Sequence, residues 1–160
     1  ETINMAGLYK IPLLIVIEDN KYAVESDFVK RKVKGYNLNN ITSGFNALYK
    51  RISGQDFKKV FKETKILREK IIKNQCVGVL HLDCLRFSKH SGAEVSEKEQ
   101  KSKYRKNEYY EIIKNDPIDI IKKDLKENGY KKKEILNLKK IFVSKYNSIF
   151  SKVFKQIKIR

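Results

Sequence analysis

The groups best placed to do chemistry gather at two points in the chain. One is Glu18-Asp19-Asn20, followed by Tyr22, where the apolar run from Leu13 to Ile17 turns abruptly polar. The other is Arg86-Phe87-Ser88-Lys89-His90-Ser91, at the end of the apolar run that begins at Cys76. Asn20 offers a neutral amide oxygen. Backbone carbonyls and an acidic side chain beside it would complete a hard oxygen site, which suits Mg²⁺, an ion usually held by few protein ligands plus substrate phosphates. Arg86, Lys89 and His90 are donors that can hold a phosphate or a carboxylate. Together the two points suggest a Mg²⁺-bound diphosphate. Each also has an ordinary reading, because Asp-Asn closes many solvated turns and a loop histidine is often only solvated.

Elements must carry these groups to one place. Residues 1–10 read as the end of a helix, and residues 12–17 as a short, continuous, β-branched strand buried on both faces. Residues 20–44 show no clear period, and Asn37 to Gly44 reads as a loop with a turn at Ser43-Gly44. Ser53 to Asp56 is a second turn, in which Ser53 or Asp56 caps the helix that follows. From Phe57 to Lys73 the apolar positions Phe57, Val60, Phe61, Ile66, Leu67, Ile71 and Ile72 share one helical face. Residues 76–87 read as a second strand. The Ser- and Lys-rich stretch 88–103 is longer than an ordinary connection, and such loops are often functional.

Asp116-Pro117 opens a helix and Asn128-Gly129 closes it. A last helix spans about residues 132–158, its stripe running through Ile135, Leu138, Phe142, Tyr146, Ile149, Val153 and Ile157. Such a basic amphipathic helix can lie on a membrane, but docking on its own domain or on a partner subunit is the commoner use of this pattern. The sum is an α/β layout of parallel strands alternating with helices. In such sheets ligands bind at the carboxyl ends of strands, where both polar points lie.

Composition narrows the classes. At 160 residues the chain fits one domain with a sizeable core. Its net charge of +17 invites a nucleic-acid reading. Against that, the charge is nearly all Lys, spread over both halves, whereas phosphate and base readers also lean on Arg. No apolar run approaches the roughly 18 residues of a membrane span, and no secretory signal opens the chain. Cys76 and Cys84 have no ligand-like spacing with His81 and His90, so reduced thiols in a cytosolic protein are expected rather than a structural zinc site.

Three ordered motifs carry a resemblance across nearly the whole chain. "ETINMAGLYKIPLLIVIEDNKYAVES" resembles the helix, strand and Asn-Asn-x-Tyr turn of the alpha subunit of thiamine diphosphate-dependent 2-oxo acid dehydrogenases. "LRFSKHSGAE" resembles that family's Tyr-Arg-x-x-x-His-Ser loop, and "KYRKNEYYEIIKNDPIDIIKKDL" its later Tyr-Arg segment and Asp-Pro-Ile helix start. The resemblance implies a three-layer, parallel-sheet cofactor fold with C-terminal helices. Residues 1–104 would be the C-terminal part of the cofactor-binding domain and residues 105–160 a helical extension of it. Asn20 would supply a side-chain oxygen, and Tyr22 its backbone carbonyl, to Mg²⁺. His90 would reach the diphosphate side of thiamine diphosphate as the catalytic-site histidine, with Arg86 supporting that loop. Tyr104 and Arg105 match a pair that helps order the neighbouring loop. Ser91 matches a serine phosphorylated in some mitochondrial members, a regulation not carried over here.

The implied reaction is oxidative decarboxylation of a 2-oxo acid, with the cofactor supplying the carbanion chemistry. The implied partners are a beta subunit and a lipoyl-bearing acyltransferase, in the cytoplasm or, in a eukaryote, an organelle matrix. Neither a membrane nor a nucleic acid is an expected partner. Several positions depart from the pattern: Asp19 stands where Asn is usual, His81 where Glu is frequent, and Ser88-Lys89 replaces a His-Gly or Gly-His pair. The family's Gly-Asp-Gly motif, whose Asp is the charged Mg²⁺ ligand, would fall before Glu1. These 160 residues alone are therefore expected to be inactive. A non-catalytic interaction module that keeps the docking helices is the alternative.

Overall fold

The computed structural model describes residues 1–24, 26–86, 110, 111 and 113–158. Two compact units are present, Glu1–Pro117 and Ile118–Arg160. The expected domain boundary at 104/105 falls outside the described residues.

The first unit is built on a parallel sheet of three strands, β1 (Leu13–Asp19), β4 (Leu48–Ser53) and β5 (Val77–Asp83), in the order β1-β5-β4. Two-residue strands β2 (Tyr22–Ala23) and β3 (Ser26–Asp27) pair antiparallel beside it. The registers Leu13↔Val77 and Tyr49↔Val79 put the odd-numbered residues of all three strands on one face. Helix α3 (Phe57–Asn74) covers the even face: Leu67 and Ile71 pack with Leu80, Leu82 and Ile52. Gly78 permits that approach, since a Cβ there would stand 2.4 Å from Ile71 Cδ1. On the odd face Ala6, from α1 (Thr2–Leu8), clusters with Val77 and Ala47. Helix, sheet and helix give the three layers expected of the fold.

The central strand β5 is buried along nearly its whole length, as its run of apolar residues requires. β1 behaves differently from its sequence reading. It is an edge strand of this sheet, and Val16 stays half exposed, because a continuous apolar run cannot say which strand is paired on both sides. Two further elements differ. Asn37 to Gly44 forms helix α2 (Leu38–Ser43) rather than a loop; Asn37 caps it, accepting from the Asn40 N–H at 3.3 Å. The fully buried Thr42 returns its hydroxyl to the carbonyls of Leu38 and Asn39. β4 went unread because Lys50 and Arg51 interrupt its apolar pattern. Asp56, of the two candidates, caps α3 through the Lys59 N–H at 3.0 Å.

In the second unit, α4 (Pro117–Glu127) and α5 (Lys132–Lys158) lie where their start and stop signals placed them. On α5, Phe142, Tyr146, Ile149 and Val153 are exposed, and the stacked pair Tyr146–Phe150 continues into Phe154. The side chain of Ile157 lies outside the described residues. Among the described residues no helix is long and apolar enough to cross a membrane.

Candidate functional site

The carboxyl ends of β1, β5 and β4 hold a chain of polar contacts. Asp19 is the last residue of β1, and its two carboxylate oxygens do different work. Oδ1 accepts the Lys21 backbone N–H at 2.9 Å, and Oδ2 lies 3.0 Å from His81 Nε2. The other ring nitrogen of His81, Nδ1, lies 2.7 Å from the Tyr49 hydroxyl. His81 is buried, so both ring nitrogens need partners, and here both have one.

Asp83, two residues on from His81, is gripped by Arg51: Nε donates to Oδ2 at 2.8 Å and Nη2 to Oδ1 at 2.7 Å. The Lys21 ammonium bridges Asp83 and Asp19. The ladder continues past the strands, with Cys84 N–H donating to the Asp19 carbonyl and Gly54 N–H to that of Asp83.

These contacts set the ionisation of the cluster. The Arg51 guanidinium, assisted by Lys21, outweighs burial and holds the Asp83 carboxyl well below the usual carboxylate range. Burial pushes Asp19 upward, but the Lys21 N–H, His81 and the Lys21 ammonium together prevail, and it too lies below its ordinary value. Asp83 in turn raises Arg51. Burial raises the Tyr49 hydroxyl and the Cys84 thiol, which leaves Cys84 a poor nucleophile. Both cysteines are free thiols.

Ligand atoms of Asp19, His81 and Asp83 lie within 4.8 Å of one another, a spacing that a divalent ion could use. Lys21 and Arg51 already match the two carboxylates charge for charge, so the cluster is internally neutralised. Above it opens a cavity of about 350 Å³. Its other wall carries Phe28 and Tyr36, edge to face at 6.0 Å, with Lys32 Nζ 5.2 Å from the Phe28 ring centre.

Asn20 and Tyr22 are not among the residues lining that cavity. They stand on the turn beyond β1, where Asn20 Oδ1 accepts the Tyr22 N–H at 3.0 Å. Asp19 makes the same kind of two-residue turn onto Lys21, so two such turns overlap, and Lys21 sits between them at φ 66°. Asn20 and the Tyr22 carbonyl are neutral oxygen donors on one short turn. That set fits Mg²⁺ when phosphate oxygens and a further carboxylate complete the shell. Arg86 lies just past β5, partly buried. His90, Ser88, Lys89, Ser91, Tyr104 and Arg105 lie outside the described residues.

Sequence reasoning missed Lys21, Tyr49, Arg51 and Asp83, and noticed His81 only as a departure and as a histidine without ligand-like spacing to the cysteines. The available signal was the odd-numbered polar series at the strand ends, which becomes visible only once the three registers are known.

Comparison with known proteins covers most of the chain. A family described as "Dehydrogenase E1 component" matches residues 1–149. The chain is 29% identical over 131 residues to the "Pyruvate dehydrogenase E1 component subunit alpha" of Rickettsia bellii, covering 81% of this chain and 38% of that protein. It is 27% identical over 135 residues to the "2-oxoisovalerate dehydrogenase subunit alpha" of Bacillus subtilis, covering 84% of this chain and 39% of the relative. The chain thus spans about two-fifths of the length of these curated relatives.

Proposed function

The chain belongs to the dehydrogenase E1 component family, and from that premise we propose that it is the cofactor-binding part of the alpha subunit of a thiamine diphosphate-dependent 2-oxo acid dehydrogenase. The proposed reaction is oxidative decarboxylation of a 2-oxo acid, with the acyl group passed to a lipoyl carrier. One observation carries the reading. The segment matched by the family contains, at the carboxyl end of a parallel strand, a double side-chain turn that presents Asn20 and Tyr22 together.

In this reading Asn20 Oδ1 and the Tyr22 carbonyl would hold Mg²⁺, which would anchor the diphosphate of the cofactor. Thiamine diphosphate supplies the carbanion chemistry when bound. The chain's own part is binding and orientation. Arg86 and His90 meet the diphosphate side, and the sheet keeps the Asn20 turn rigid against it. A beta subunit completes the site, and a lipoyl-bearing acyltransferase receives the product.

The test is calorimetric titration of thiamine diphosphate with Mg²⁺ into the complete alpha chain assembled with a beta subunit. Binding heat that is lost in Asn20→Ala supports the reading. Equal heat in Asn20→Ala removes Asn20 from the metal site. The alternative, a non-catalytic interaction module, draws on the exposed apolar stripe of α5. It requires stoichiometric association with the beta subunit and no cofactor heat at all.

A further inference from the structure

Asp19 is the joint between the turn and the sheet. One carboxylate oxygen shapes the turn through the Lys21 N–H, and the other is fastened to His81 on the central strand. His81 is in turn fastened to Tyr49 on β4. All three strands of the sheet therefore converge on the carboxylate that precedes Asn20. The turn has need of this hold. Lys21 occupies the left-handed region at φ 66°, a strained conformation for a residue with a Cβ, which persists only where its surroundings impose it.

Asp19 and His81 are 62 residues apart along the chain, yet their side chains touch, a carboxylate on β1 facing an imidazole on β5.

We infer that Tyr49, His81 and Asp19 form a positioning chain for the Asn20–Tyr22 turn. The inference rests on the proposed metal role of that turn. The three side chains would act on the metal through the turn's shape, not as its ligands. Such supporting contacts commonly tune metal affinity by about 10- to 100-fold.

The experiment uses the complete alpha chain with its beta subunit and reads, by calorimetry, the Mg²⁺ concentration needed for half-maximal thiamine diphosphate binding. His81→Glu alone sets two carboxylates against each other and raises that concentration about 10-fold or more. Tyr49→Phe removes one link and raises it by a smaller factor. Asp19→Asn with His81→Glu again sets one donor against one carboxylate and returns the requirement to within about threefold of the original. The thermal midpoint without Mg²⁺ is read alongside, because a merely structural role would lower the midpoint and leave the Mg²⁺ requirement in place. Should His81→Glu fail to fold, Tyr49→Phe and the double variant still decide.

Unchanged Mg²⁺ requirement in the single variants, with Asn20→Ala raising it, overturns the positioning chain. A double variant no better than His81→Glu overturns the Asp19–His81 link of the chain. No effect of Asn20→Ala overturns the metal reading of the turn instead, so the two failures are distinguishable.

Discussion

Asp83 shows how much one residue at the strand ends can carry. It accepts both arms of the Arg51 fork and the Lys21 ammonium, yet it and its partners are partly exposed, so water screens the whole assembly. Its contribution belongs with surface pairs of good geometry, about 1 kcal/mol, rather than with buried ones. The sign of its pH dependence follows from the depressed carboxyl. The contribution is fully present above the ordinary carboxylate value near pH 4, and it is lost as pH falls through that value toward the lower one of the folded state. Asp83→Asn is therefore expected to lower stability by about 1 kcal/mol at neutral pH and to flatten the loss of stability below about pH 4. Urea unfolding across pH checks both. An acid limb as steep in the variant as in the original protein would assign the loss to other carboxylates, with Asp19 the next to test.

At the scale of elements, α3 joins the site to the core. Asp56 starts it and Gln75 ends it in the left-handed conformation, φ 46° and ψ 54°, with its N–H returned to the last-turn carbonyls. Glycine is the residue that takes this position without strain. Gln75→Gly is expected to stabilise the protein by about 0.5–1 kcal/mol, the relief of the left-handed strain less the added freedom of the unfolded chain. A higher urea midpoint with an unchanged slope is the expected result. A lower midpoint would mean that the Gln75 side chain contributes more than its backbone costs. The periodic helices α3, α4 and α5 were legible in the sequence because caps and 3.6-residue spacing are local signals. β4 was not, because Lys50 pairs with Glu63 of α3 and Arg51 with Asp83 of β5, partners invisible to a local pattern.

For the molecule as a whole, the +17 charge is the dominant long-range term. Self-repulsion among so many lysines opposes compactness, and salt screens it over about 8–10 Å. The few ion pairs at the strand ends are screened too, but each is worth little by comparison. Raising NaCl from about 20 mM to about 200 mM is therefore expected to raise the thermal midpoint by a few degrees. A midpoint that falls with salt would show that the Asp19–Asp83 network outweighs the repulsion. The family match, extending through residue 149, takes in most of α5 as well as the sheet, so it reaches into both units.

What the sequence determined alone is local or ordered along the chain: the boundaries of α3, α4 and α5, the strands β1 and β5, the Asp-Asn turn closing β1, and the order of three motifs that carries the family resemblance. These are legible because capping, periodicity and motif order are properties of neighbouring residues. What only the tertiary structure decided is who meets whom at the strand ends. β4 joins the sheet on the far side of β5, and the parallel registers bring Tyr49, His81 and Asp19 into one line of hydrogen bonds. That line spans residues 19 to 81, and its partners are set by strand pairing, which depends on packing α3 against one face and α1 against the other. Asp19 and His81 read along the chain as two unrelated departures; strand pairing makes them one contact.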